Sequence, residues 1–260
     1  MKVYTFLLFS CFIAYGKAQY IAGGEAVNIT EYPYAASLQY TGSGADQTCG
    51  GVVLSATALL SAASCFYTAN GAPHNPGDWR ARVGSSFVST DGRNYTIRLI
   101  TAHPDFELTT RDNNIAVLRT VSFIELVPGL VEVARIAGGA FTIAPRNSIS
   151  AIGWGAANAS EPTEQLHHVS AFVIDQEICA VRYQDINFAV TDNMICFGWL
   201  DVGIFGQCSE GGAGSPIVVN GGVVGIYSWS NECASLRYPS LNTRTSPYWK
   251  WIVDTANAGN

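Results

Sequence analysis

Cysteine and histidine are the residues of this chain best suited to chemistry, and their spacing narrows what that chemistry is. Six cysteines, Cys49, Cys65, Cys179, Cys196, Cys208 and Cys233, are spread through the body of the chain, and a seventh, Cys11, sits in an apolar leader. An even number in an exported chain reads as disulfides, and six allow fifteen connectivities, so the count alone selects none. No pair has the spacing of a zinc ligand set, and the four histidines do not gather near them, so no metal or other cofactor is expected. Three N-x-S/T triplets begin at Asn28, Asn94 and Asn158; in a secreted protein these are glycan acceptors.

The expectation of export rests on the first 18 residues. Lys2 gives a positive start, Val3 to Ala14 is an apolar run too short to span a bilayer, and Gly16 and Ala18 supply small residues before a cut. That is the pattern of a secretory signal peptide rather than a membrane anchor. A soluble extracellular monomer is expected, with no membrane partner. About 240 residues remain, enough for one large domain or two small ones. Charged residues are 13% of the chain, about half the usual share. The net charge is −6 and no lysine- or arginine-rich block exists, which argues against nucleic acid. Beyond the leader the only lysine is Lys250, against eleven arginines. Lysine loses its charge near pH ~10 while arginine keeps it, so the bias fits an alkaline compartment such as a gut lumen; codon drift fits it equally.

These residues must be positioned by a β-rich scaffold. Phe87 to Thr90 leads to Asp91-Gly92 and then to alternating Tyr95, Ile97 and Leu99, the pattern of a hairpin; Pro216 to Val219, Asn220-Gly221-Gly222 and Val223 to Ile226 form a second. Many short strands with turns between them suggest a barrel or a sandwich. Only the end reads as helical: Ser246 is placed to cap, Pro247 suits the first helical position, and Tyr248, Trp251 and Ile252 lie three and four apart.

Motifs then point to a family. Ile21-Ala22-Gly23-Gly24 resembles the new N-terminus of an activated chymotrypsin/trypsin-like serine protease. Cys49-Gly50-Gly51 with Ser61-Ala62-Ala63-Ser64-Cys65 is similar to its first disulfide segment, and Asp112 to Leu118 to its D-N-D-I-A-L-L stretch. Gly153-Trp154-Gly155, the loop Cys208–Pro216, Ser228-Trp229 and Tyr248 to Ile252 follow in the family's order. The resemblance implies an all-β fold of two six-stranded antiparallel barrels with a C-terminal helix. It places barrel 1 at about 21–132, barrel 2 at about 133–245 and the helix at about 246–257, after a signal peptide at 1–18 and a residual propeptide at 19–20. It also selects the disulfides Cys49–Cys65, Cys179–Cys196 and Cys208–Cys233.

The same resemblance identifies the catalytic positions. The family's mechanism needs a hydroxyl nucleophile, an imidazole to take its proton and a carboxylate to orient the imidazole. The imidazole position holds Ser64, the carboxylate position Asn114 and the nucleophile position Ala213, or Gly212 if the longer loop is counted forward from Cys208. Ser215 stands where the family has glycine and needs both a remodelled loop and a base. His103, in a loop, and His167-His168, on a strand of the second barrel, are expected to be surface or packing residues. Activation is altered as well. Tyr20 replaces the basic residue before the cut, and Gly212 replaces the aspartate that pairs with the released amine, unless Glu210 substitutes. Loss of a nucleophile or base alone costs about 10⁶ in turnover.

The specificity pocket implied by the resemblance has Gly206 at its base and walls at Ser230 and Ser240, beside the groove edge Ser228-Trp229. No aspartate is there to attract a basic side chain. The expectation is a degenerate, insect-like pseudoprotease that is not an enzyme and acts by binding a peptide, a protease inhibitor or a partner protease. The alternatives are an endopeptidase with non-standard groups and an extracellular structural protein.

Overall fold

The computed structural model describes residues 24–42, 48–154, 164–202, 212–232 and 235–258. The signal peptide, the residual propeptide, Ile21, Asn158, Gly206, Cys208, Glu210 and Cys233 lie outside the described residues.

A short strand β1 (Glu25–Ala26) precedes the first barrel. The barrel is built from β2 (Ala35–Tyr40), β3 (Thr48–Ser55), β4 (Ala58–Ser61), β5 (Trp79–Val83), β6 (Arg93–Ala102) and β7 (Ala116–Thr120), closed in the order β2-β3-β4-β7-β6-β5. Strand β8 (Arg135–Ile136) lies in the connection. The second barrel comprises β9 (Ser148–Gly153), β10 (His167–Ile174), β11 (Met194–Gly198), β12 (Pro216–Val219), β13 (Gly222–Trp229) and β14 (Ser240–Arg244). Its order β10-β11-β14-β13-β12-β9 closes through the pairing of β9 with β10. The twelve barrel strands pair antiparallel with one another. Closure gives every barrel strand a neighbour on both sides.

Alternation along the strands fills each interior. Trp79, Ala81 and Val83 of β5 point inward and pack with Phe66, Leu38, Leu60, Ile97 and Leu118. Ile149, Val169, Ala171, Phe197 and Ile217 fill the second barrel. The Asn220-Gly221 hairpin forms as its sequence predicts: both residues take positive φ, 48° and 72°, the requirement of the tight turn that matches strand twist. The other predicted hairpin is corrected. Asp91 and Gly92 do turn at positive φ, but the strand before them is Trp79–Val83, not 87–90. Residues 86–88 instead bond across to the second barrel, Leu166 N–H to the Ser86 carbonyl at 2.6 Å and Val88 N–H to that of Glu164 at 2.8 Å.

Among the described residues there are two α-helices, where the sequence suggests one. Helix α1 (Gln176–Gln184) is capped by Asp175, whose carboxylate accepts from the amides of Glu177 and Ile178. The C-terminal helix α2 (Trp249–Asn257) buries Ile252 and Ala256. Ser246 does not cap it. Ser246 to Tyr248 form a 3-10 turn leading into α2, and the Tyr248 hydroxyl donates to Asn113 Oδ1 at 2.7 Å.

Candidate functional site

Ser64 lies in a 3-10 turn, Ala63–Phe66, directly after β4. The turn is stapled to β3 by the Cys49–Cys65 disulfide, with an S–S distance of 2.04 Å. Asn114 sits in the loop ahead of β7, and four hydrogen bonds tie that loop to the second barrel and to the turn that leads into α2. The Asp112 carboxylate accepts from Thr191 Oγ1 at 2.8 Å and Asn193 Nδ2 at 3.1 Å, Thr243 Oγ1 donates to the Asn114 carbonyl at 3.0 Å, and Tyr248 holds Asn113. Asn114 is thereby buried at the junction of the barrels.

Its amide spans the site. Oδ1 accepts the Ser64 N–H at 2.7 Å, while Nδ2 donates to Ser64 Oγ at 3.0 Å and to Ser228 Oγ at 2.7 Å. Where the family mechanism uses carboxylate and imidazole, this chain has an amide tying two hydroxyls together. None of the three ionises near neutral pH.

Ala213 comes to the same place. Its carbonyl accepts the Gly50 N–H at 2.8 Å and lies 3.5 Å from the Cys65 sulfur. Gly214 follows at φ +87°, and a Cβ there would fall 2.2 Å from the Gly50 carbonyl oxygen, so only glycine fits. The Ser215 hydroxyl is buried against the bare Cα of Gly50, where an added Cβ would lie 2.4 Å from Oγ, and it finds no hydrogen-bond partner among the described residues.

None of the histidines bonds to Ser64, Asn114, Ser215 or Ser228 among the described residues. His103 packs edge-on to Tyr248 and Trp251, with centroids at 5.0 and 4.9 Å; burial lowers its pKa, against the opposing pull of Asp105 and Asp112. His167 bonds the Gln165 carbonyl at 2.7 Å. His168 lies between the Tyr32 hydroxyl at 2.7 Å and Glu25 at 2.9 Å. His74 stacks on Tyr40 and Trp79, with centroids at 4.6 and 5.8 Å.

Of the groove residues, Ser228 meets Asn114 as above, and Trp229 is half-buried against Phe188 and Tyr183 at 4.7 and 5.6 Å. Ser230 and Ser240 are buried, and the Tyr227 hydroxyl meets Ser230 Oγ at 2.8 Å. Tyr227 escapes sequence reasoning because a tyrosine inside an apolar β run is ordinary strand composition. The second disulfide, Cys179–Cys196, joins α1 to β11 with an S–S distance of 1.99 Å. Asn28 and Asn94 are both exposed, Asn28 capping the turn Ile29–Glu31.

Two closed six-stranded barrels with the site at their junction and a C-terminal helix are the architecture of the chymotrypsin-like class. The family profile described as Trypsin matches residues 21–252, and the chain belongs to that family. It is 38% identical over 242 residues to "Trypsin, alkaline A" of Manduca sexta, covering 90% of each chain. It is also 38% identical over 243 residues to "Trypsin CFT-1" of Choristoneura fumiferana, covering 92% of each. A solved structure, the scabies mite inactivated protease paralogue S-D1, superposes with a TM-score of 0.77 at 26% identity, over 90% of this chain and 96% of that one.

These relatives correct one expectation. The reading that the chain is not an enzyme is overturned by near-full-length similarity to proteins named trypsins, which points to the serine endopeptidase class. Triad positions describe one route to hydrolysis, whereas the relatives bear on the class of the whole chain.

Proposed function

We propose that this chain is a secreted trypsin-family protein that works by holding a peptide segment in the groove edged by Ser228-Trp229-Ser230. The segment belongs to a peptide, a protease inhibitor or a partner protease. The observation that carries the reading is the Ser64–Asn114–Ser228 network, in which an amide and two hydroxyls hold the groove wall. Substrate-like ligands dock on such an edge through backbone pairing and shape, and neither depends on a reacting bond. The likeness to an inactivated protease paralogue is in keeping with it.

A second reading, peptide hydrolysis through non-standard groups, is favoured by the relatives named trypsins. Ser64 cannot act as the standard base, so turnover in this chain runs through a different hydroxyl and a different proton acceptor. One experiment separates the readings. Purified protein, before and after trypsin treatment, is exposed to a fluorophosphonate probe and to peptide ester substrates, and in parallel titrated calorimetrically with peptides. Stoichiometric labelling of a serine with ester turnover establishes the second reading. Peptide binding without labelling establishes the first.

A further inference from the structure

Tyr227 has no exposed surface at all, although one end of a phenol is polar. Its neighbour Ser228 turns toward Asn114, and Tyr227 itself stands where the register with β14 is interrupted by a bulge. There it lies across the ladder from Asn242 of β14. Its hydroxyl meets Ser230 Oγ at 2.8 Å, and burial holds that hydroxyl in its neutral form, its pKa raised well above the ordinary value. The segment bearing Ser240 is fixed beside it: Asn242 Nδ2 donates to the Ser240 carbonyl at 3.2 Å, and the Tyr183 hydroxyl to that of Pro239 at 2.6 Å.

The backbone locks the ring in place. The Tyr227 N–H donates to the Ser215 carbonyl at 2.8 Å, and its own carbonyl accepts from Gly214 at 2.9 Å. Both peptide groups are thus tied to the loop that carries Ala213. A side chain that displaces this ring has to break the Tyr227–Ser230 bond and drive a buried ring out of a close-packed site.

We infer that Tyr227 determines specificity in this groove: its ring occupies the side-chain slot between Ser230 and Ser240, so the segment taken presents glycine, or at most alanine, at the residue entering the slot. This rests on the peptide-binding reading above and names its ligand class.

The test is calorimetry of the folded chain with acetylated Ala-Ala-X amides, X being glycine, alanine, leucine or phenylalanine, on the wild type, Tyr227→Val and Tyr227→Phe. The wild type is expected to bind the glycine peptide at least tenfold more tightly than the phenylalanine peptide. Tyr227→Val removes that preference, and Tyr227→Phe, which keeps the ring without the hydroxyl, retains it. The wild-type series needs no variant, so a poorly folding Tyr227→Val leaves the test intact. Equal wild-type affinity for the glycine and phenylalanine peptides overturns the slot assignment while leaving peptide binding standing. No binding of any peptide to wild type or Tyr227→Val overturns the peptide reading itself, and the specificity role with it.

Discussion

Asn114 grips Ser64 at both ends, accepting its backbone N–H at 2.7 Å and donating to its hydroxyl at 3.0 Å. A single side chain from the loop ahead of β7 thereby fixes the turn after β4, and through Ser228 it reaches the second barrel as well. The network is neutral throughout and joins three separate elements.

Asn114→Ala is expected to cost about 2–4 kcal/mol, since it strands the Ser64 amide and removes a shared partner of two hydroxyls. Asn114→Asp is expected to cost less, because both serine hydroxyls can rotate to donate to a carboxylate. Urea denaturation of the two variants ranks them. An alanine variant as stable as the wild type would show that the network contributes nothing to holding the barrels together.

The disulfides give a second prediction. Cys49–Cys65 fastens the Ser64 turn, so replacing both cysteines by serine is expected to cost about 2–5 kcal/mol. Non-reducing peptide mapping should return Cys208 joined to Cys233, the pairing that falls outside the described residues. Recovery of either cysteine as a free thiol contradicts it.

How far the sequence was legible depends on which physical rule each element follows. Asn220-Gly221 could be read because a two-residue turn between strands demands positive φ. The two-barrel fold was legible through ordered motifs from Ile21 to Ile252 rather than through any single pattern. Helix α1 was missed because it buries only Cys179 and Tyr183 and shows no strong apolar stripe. Residues 87–90 misled because Val88 looks like a strand residue, yet its bonds run to Glu164 of the other barrel. Tyr227 was invisible because its role depends on Ser230 and Asn242, contacts that local sequence does not encode.

Arg119 carries a third prediction. It is a buried cation on β7 whose guanidinium donates to the Ala256 carbonyl at the end of α2. A cation there satisfies a terminal carbonyl and complements the helix dipole. Arg119→Met keeps most of the volume and loses the charge and the hydrogen bond, for an expected cost of about 1–3 kcal/mol. Hydrogen exchange should accelerate first in the amides of α2. Uniform acceleration across both barrels instead would mean that Arg119 supports the core rather than the helix.

The last prediction concerns alkaline pH. Tyr34, Tyr183, Tyr227 and Tyr248 are all buried, and in each case burial is the main cause that raises the pKa well above the ordinary value. Unfolded tyrosine titrates near pH ~10. Below that, folded and unfolded chains both keep these protons, and the four groups add no pH dependence. Above it the unfolded chain releases protons that the folded chain retains, so stability falls as pH rises. The slope is about 1.4 kcal/mol per pH unit for each tyrosine, or about 5–6 for the four. The charge pattern holds steady meanwhile, since Arg93–Glu125, Arg182–Asp201 and Arg237–Asp185 are arginine pairs. Urea midpoints measured from pH 7 to 12 should therefore stay nearly level to about pH 10 and then drop steeply, with tyrosinate absorbance appearing together with unfolding. A steady decline beginning near pH 8 would place the pH-sensitive groups elsewhere, and tyrosinate formation in the still-folded chain would show that these hydroxyls are not shielded from solvent.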